Sequence, residues 1–296
     1  MIASSELILN DRGAVYHLDL RPEEIAHTII TVGDPGRVPV VSRHFDRIEF
    51  QRSHREFVTH TGTIGNKRLT VISSGIGTDN IDIVLTELDA LVNLDLEKRI
   101  EKPLHTTLQL FRLGTCGGLQ ADIPTDALVI STHGLGLDNL MHYYACSFSD
   151  AEQELTRAFI AHVGWEHGPI KPYLIAADTQ LLRNFTSTPH ALSPYQGITA
   201  SCPGFYGPQG RQVRATLAYP RLVDQLTSFR FQQHRITNFE METSALYGLG
   251  RMLGHQCLSI STIVANRASR SFSHNPQQAI EQMITRFLDC WLGLQP

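Results

Sequence analysis

Leu110-Phe111-Arg112-Leu113-Gly114-Thr115-Cys116-Gly117-Gly118 is the stretch around which the chain is organised. An apolar run carries one arginine to its end, and a glycine-rich loop with a threonine hydroxyl is expected to follow. That order has a physical meaning. A buried strand fixes the guanidinium, small residues let backbone N–H groups approach a ligand closely, and Thr115 adds a donor beside them. Two readings stand for it: half of an anion cradle, or glycines that only turn the chain while Arg112 pairs with a surface carboxylate.

Outward from this stretch the chain alternates strand, turn and helix. Ile29-Ile30-Thr31-Val32 predicts a strand that delivers Gly33-Asp34-Pro35-Gly36-Arg37. Proline fixes the turn, the glycines expose N–H groups and Arg37 supplies a charged fork, so this is a second anion-loop candidate. A plain turn with a solvent-facing arginine is the competing reading. Leu69-Thr70-Val71-Ile72 predicts another strand, followed by the turn Ser73-Ser74-Gly75-Ile76-Gly77 and a helix with Ile81, Val84, Leu85, Leu88 and Leu91 on one face. Gly75, Gly77 and Asn80 make an incomplete G-x-G-x-x-G with no acidic residue at the ribose position, which argues against a dinucleotide site.

Residues 93 to 107 are charged and read as a solvated connector. Asp126 to Ser131 and Tyr173 to Ala177 read as buried strands, with a helix over Glu152 to Val163 between them. Thr186 to Pro203 shows no period. It leads into Cys202-Pro203-Gly204-Phe205-Tyr206-Gly207-Pro208-Gln209-Gly210-Arg211, whose aromatics, carboxamide and arginine suit a flat heterocycle. A surface loop whose aromatics plug the core fits the same residues. Asn238 to Thr243 opens a helix with Met241, Ala245, Leu246, Leu249 and Met252 as its apolar stripe. Glu240 and Glu242 at its start are either dipole partners or buried acceptors for two adjacent sugar hydroxyls. Cys257 to Val264 is the last strand, and the closing helix runs from Ala279 to Trp291.

This alternation predicts an α/β chain. At 296 residues and 42% hydrophobic it can bury a large core, and no repeat or linker divides it, so residues 1–296 are expected to form a single domain. A formal charge of −4 argues against a general nucleic-acid or membrane-surface binder. Five scattered cysteines without a C-x-x-C pair suggest a reduced compartment. Met1 to Asp11 lacks the basic and apolar regions of a leader, and no apolar run reaches membrane-spanning length, so a cytoplasmic protein is expected. Fourteen histidines invite a metal, yet none falls in a ligand spacing such as H-E-x-x-H.

The loops gain weight together. His17-Leu18-Asp19-Leu20, Gly33-Asp34-Pro35-x-Arg37, Ser53-His54-Arg55-Glu56-Phe57, Arg112-x-Gly114-Thr115, Phe205-Tyr206-x-x-Gln209-x-Arg211, Glu240-Met241-Glu242 and Asn266-Arg267 occur in that order over nearly the full length. In this the chain resembles the nucleoside phosphorylase-I superfamily, and within it the uridine phosphorylase branch. The resemblance implies a three-layer α/β/α domain with a central mixed, partly barrel-like sheet. It also implies reversible phosphorolysis of uridine, deoxyuridine or thymidine to free base and a pentose 1-phosphate, with inorganic phosphate as co-substrate and no required cofactor.

The family's roles carry over residue by residue. Gly33, Arg37, Arg112 and Thr115 would hold phosphate, joined by Arg55 of a neighbouring copy. Glu242 would bind the ribose hydroxyls, with Thr115 facing the sugar, Met241 packing on it and His17 of the neighbour at the 5′-hydroxyl. Phe205, Gln209 and Arg211 would read the base, and Arg267 would order the lid beside it. Arg112, Arg211 and Glu242 would be the catalytic set. Bulk at Gly114 or Gly117 would crowd the place where phosphate and sugar meet.

Some relatives hold potassium between subunits. Glu56, Ile76 and Asn80 match those positions, the asparagine replacing the usual serine. Sites shared between copies imply a homo-oligomer, at least a dimer and in the bacterial branch a hexamer. Purine phosphorylases of the hexameric branch carry an aspartate where Asn266 stands, and nucleosidases lack the full phosphate set. A purine phosphorylase, a hydrolytic nucleosidase and a non-catalytic nucleoside-binding paralogue are the alternatives.

Overall fold

A computed structural model describes residues 1–187 and 191–294 of the chain. The strands are β1 (Thr28–Val32), β2 (Arg47–His54), β3 (Phe57–Ile64), β4 (Lys67–Ser73), β5 (Leu94–Asp95), β6 (Ile100–Glu101), β7 (Gln109–Gly118), β8 (Leu128–Gly136), β9 (Tyr173–Ala176), β10 (Tyr195–Ser201), β11 (Arg230–Phe231), β12 (His234–Glu240), β13 (Gln256–Asn266) and β14 (Ser271–Phe272). The helices are α1 (Val38–Ser42), α2 (Thr78–Asn93), α3 (Asp150–Val163), α4 (Thr179–Thr186), α5 (Leu222–Ser228), α6 (Thr243–Met252) and α7 (Pro276–Gly293).

The opening stretch is β7, and its pairings explain the sheet. Its first half, Gln109 to Arg112, lies parallel to Thr28 to Thr31 of β1, and from there the order runs outward through β4, β3 and β2. Along its other edge β7 is parallel to β13 from Gln109 to Gly118. At its end Gly117 and Gly118 pair antiparallel with Phe239 and Asn238 of β12. With β12 paired to β10, β10 to β8 and β8 to β13, five strands close into a barrel with a four-stranded wing. The mixed α/β architecture expected from the resemblance is therefore present.

One expectation is corrected. Gly114 to Gly118 continue the strand instead of forming a loop, because pairing with β13 holds them extended. Between the end of the β1 pairing at Arg112 and the start of the β12 pairing at Gly117, however, β7 is paired on one edge only. The sheet splits there, which is where α/β proteins place their ligand crevices.

The helices cover this sheet. α7 packs on β7 and β13, α6 on β8, β13 and α2, and α3 on β9. Local chemistry sets their ends. Ser149 and Glu152 form a capping box for α3, which stops at Gly164 in the left-handed conformation (φ 71°). Asn275 caps α7 ahead of Pro276. α6 is buried from Thr243 through Gly250, so it is a core helix instead of one with a single apolar stripe.

Other boundaries also shift. Asn238 to Glu240 end β12, and the helix starts only at Thr243. The aperiodic segment before Pro203 contains β10, and residues 188–190 of it lie outside the described residues. The charged connector carries the β5–β6 hairpin.

Candidate functional site

Arg112 points from β7 into the split. It is 6% exposed, and its Nη1 donates to Ser261 Oγ of β13 at 3.1 Å. Its Nη2 donates to Glu242 Oε2 and lies 3.0 Å from Glu240 Oε2. The carboxylates that Arg112 meets are therefore buried ones. A Cβ at Gly114 would lie 1.9 Å from Arg112 Nη1, and one at Gly117 would lie 2.8 Å from the Phe239 ring. These glycines make room for protein groups, and Gly117 also lines the cavity described below.

Glu242 stands at the N-cap of α6 and its Oε1 accepts the Gly77 N–H at 2.8 Å. Gly77 can present that N–H because its φ of 105° suits glycine. Glu240 accepts from Ser201 Oγ at 2.7 Å, Glu242 N at 2.9 Å and Thr243 N at 3.0 Å. The helix-start reading applies to Glu240, and Glu242 is a buried acceptor. Glu240 caps the helix, and Glu242 binds an arginine at a cavity wall.

Electrostatics follow from this packing. Burial opposes the charge of Arg112, but Glu240 and Glu242 more than offset it and hold the guanidinium firmly protonated. Burial and the like charge of Glu240 raise Glu242 above the usual carboxylate range against the pull of Arg112. Arg37, half-buried, is lowered by burial and by the charge of Arg112. It donates to Leu113 O at 3.3 Å, on the segment of β7 paired along one edge only, so it does not face solvent as a plain turn would leave it.

A cavity of about 770 Å³ opens over these groups. Gly33, Arg37, Arg112, Thr115, Met241 and Glu242 line it together with Phe205, Gln209 and Arg211. Phe205 and Tyr206 are 51% and 60% exposed, so they do not plug the core. The Arg211 guanidinium lies 3.9 Å over the Phe205 ring and donates to Gln209 Oε1 at 2.6 Å and Phe205 O at 2.7 Å. Burial and the nearby charge of Arg267 lower its pKa. Glu56, Ile76 and Asn80 also line the cavity, and the Asn80 amide leans over Gly75.

Three expected site residues lie outside this wall. His17 is held by Glu87, which accepts its Nδ1–H at 2.6 Å and its backbone N–H at 3.0 Å. Arg55 is exposed, with its guanidinium 5.4 Å over the Tyr16 ring. Arg267 stands behind the base loop and donates to Gln209 O at 3.2 Å. Asn266 is 2% exposed, with Nδ2 donating to Gln120 O at 2.9 Å and Ile123 O at 2.7 Å.

Sequence reasoning missed Asp34, Cys116, Phe239 and Phe272 as lining residues. Asp34 and Cys116 sat inside quoted motifs and were legible there. Phe239 and Phe272 carry no sequence signal and reach the cavity through the pairing of β12 with β7 and of β14 with β13. Cys116 is an inert wall residue: burial pushes its thiol up to about 12.

Asp89, His105 and His255 come together at the opposite end of β7 and β13. Leu108 N–H donates to His255 Nδ1 at 3.2 Å, so the neutral imidazole carries its proton on Nε2, 3.2 Å from Asp89. That nitrogen has no lone pair for a metal.

Comparison with known proteins shows the family of the chain. The model of the phosphorylase superfamily matches residues 27–289. A Thermococcus kodakarensis uridine phosphorylase is 28% identical over 277 residues, covering 91% of this chain and 83% of that protein. A DeoD-type purine nucleoside phosphorylase of Oceanobacillus iheyensis is 25% identical over 250 residues, 83% of this chain and 85% of that one. The crystal structure of a Trypanosoma brucei nucleoside phosphorylase with uridine phosphorylase activity superposes with a TM-score of 0.87 at 32% identity, covering 97% of this chain and all of that one. The chain belongs to the phosphorylase superfamily, as a nucleoside phosphorylase of the pentosyltransferase class.

Proposed function

We propose that the protein catalyses reversible phosphorolysis of uridine, with deoxyuridine and thymidine as further substrates of the same pocket. The observation that carries this reading is that one cavity joins an arginine-rich wall, Arg37 and Arg112 with Gly33 and Thr115, to the Phe205, Gln209 and Arg211 cluster. Glu242 links the two chemistries, since it already bonds Arg112 and has acceptor capacity left for the ribose hydroxyls.

Phosphate held by Arg37, Arg112 and Thr115 attacks the anomeric carbon with inversion. The C–O bond forms as the C–N bond breaks through an oxocarbenium-like state, and the electron pair of that bond passes to uracil. Arg211 stabilises the negative charge there, in a site whose donors are fixed before reaction. With Oε1 of Gln209 engaged by Arg211, its amide N–H groups would serve a base carbonyl. Asn266, with its amide committed to two backbone carbonyls, gives no acid for a purine leaving group.

His17 and Arg55 complete the site of a neighbouring copy in this reading, His17 at the 5′-hydroxyl and Arg55 on phosphate. The assembly is then at least a dimer, with a hexamer favoured by the bacterial branch. Arg267 orders the base loop through Gln209. Glu56, Ile76 and Asn80 offer oxygens to a potassium ion. One chain supplies three positions, fewer than the roughly six to eight oxygens hard cations take, so the ion would sit between copies.

The test is to incubate the protein with uridine, thymidine and inosine, with and without phosphate, and to follow free base. Phosphate-dependent uracil release is expected. Release without phosphate would make the protein a nucleosidase, inosine cleavage a purine enzyme, and binding without turnover a nucleoside sensor.

A further inference from the structure

Glu240 lines the cavity beside Glu242, and position alone would make it a second sugar ligand. Its hydrogen bonds say otherwise. Oε1 accepts Ser201 Oγ at 2.7 Å and Thr243 N at 3.1 Å, while Oε2 accepts Glu242 N at 2.9 Å and Thr243 N at 3.0 Å, with Arg112 Nη2 at 3.0 Å. A carboxylate has about four lone-pair sites, and fixed donors occupy all of them. Ser201 is itself fixed, since its Oγ accepts Ser244 N at 2.8 Å. Glu242, by contrast, takes one backbone N–H and one guanidinium N–H.

We propose that Glu240 is a positioning residue for this reaction: it locks the strand-to-helix turn that aims Glu242, shares Arg112 with it, and touches neither sugar nor phosphate. The inference rests on the reading of Arg112 and Glu242 given above. Two links carry the effect. The Glu242 and Thr243 backbone N–H groups are tied to Glu240, which sets where the Glu242 side chain starts. Arg112 Nη2 lies between the two carboxylates, so its direction is set from both sides.

A residue that acts only through Glu242 loses its effect once Glu242 is disabled, whereas an independent contact keeps it. The experiment is a double-mutant cycle of Glu240→Gln and Glu242→Gln in the full-length protein, read as kcat/KM for uridine phosphorolysis. Glu240→Gln alone is expected to lower kcat/KM by about 10- to 100-fold, and the double variant to stay within about threefold of Glu242→Gln alone. Ser201→Ala, which keeps the charge and removes one donor, should give a smaller loss that likewise vanishes in the Glu242→Gln background. It decides the matter if Glu240→Gln fails to fold.

Multiplying effects in the double variant, or a Glu240→Gln protein within twofold of wild type, overturns the proposal. If wild type releases no uracil with phosphate, the reaction reading has failed by itself. The same cycle read as uridine binding by calorimetry then decides on Glu240 by the same criterion.

Discussion

Two arginine–carboxylate clusters in this molecule, each built on a buried carboxylate, look alike and do different things. Beside a second cavity of about 390 Å³, Arg251 grips Glu152 with both η-nitrogens, at 2.9 and 2.6 Å. Glu152 also accepts Ala176 N at 2.7 Å and Ser149 N at 2.8 Å, and its carboxyl is held down at about 2 because these donors outweigh its burial. Glu242, equally buried, has fewer donors and a like-charged neighbour, and its carboxyl is raised. A saturated, strongly ionised carboxylate is a structural tie. One that is short of donors and faces a cavity retains capacity for a ligand.

The sharpest way to break this contrast is to treat both arginines alike. Arg112→Ala should lower kcat/KM by at least 10²- to 10³-fold, since losing one fixed donor to developing charge costs about 2.7–4 kcal/mol. It also leaves Glu240 and Glu242 buried without their counter-charge. Steady-state phosphorolysis measures it, and near-normal turnover would refute the site. Arg211→Ala should follow at roughly 10²-fold, expressed mainly in kcat if the guanidinium serves the departing base.

The parts of this site that were legible in the sequence are those whose chemistry is carried by residue type. Arg112, Arg37, Gln209 and Arg211 stood out by residue type as candidates for anion and carbonyl recognition, beside plainer structural readings. β7 was visible up to Leu113 as an apolar run. Its continuation through Gly114 to Gly118 was read as a loop because glycine favours turns, and only the long-range ladder with β13 holds it extended. β10 was lost for a similar reason: Gly197, Thr199 and Ser201 alternate nothing, and its burial comes from lying between β8 and β12. Glu240 and Glu242 are two residues apart with the same side chain. Which is saturated depends on Ser201 and Gly77, far away in sequence.

Arg251→Ala tests the other side of the comparison. It should leave kcat/KM within about twofold of wild type while lowering the unfolding free energy by about 2–3 kcal/mol. That is below the roughly 3–5 kcal/mol lost when a fully buried pair is broken, because the Arg251 side chain is 38% exposed. Urea unfolding reads the loss. An equal fall in activity and stability would show that the two clusters are not separate in function.

The smallest effect separates the two carboxylates by pH. Glu152 is depressed in the folded state, so its stabilising contribution is complete above the ordinary value of 4.5 and is lost as pH falls toward about 2. After solvent screening of the part-exposed Arg251 that contribution is about 1–2 kcal/mol. Glu242 has the opposite sign. Its raised carboxyl binds a proton more tightly when folded, so it costs stability as pH rises through 4.5 toward its folded value, and it loses its acceptor role on the way down. Activity should therefore fall on the acid side at a pH above 4.5, while the urea midpoint declines mainly below it. In Arg251→Ala the second decline should flatten and the first should stay in place. A common midpoint for inactivation and unfolding in the wild-type protein would mean that Glu242 is held as firmly ionised as Glu152, and that the difference in their donor sets has no consequence for protons.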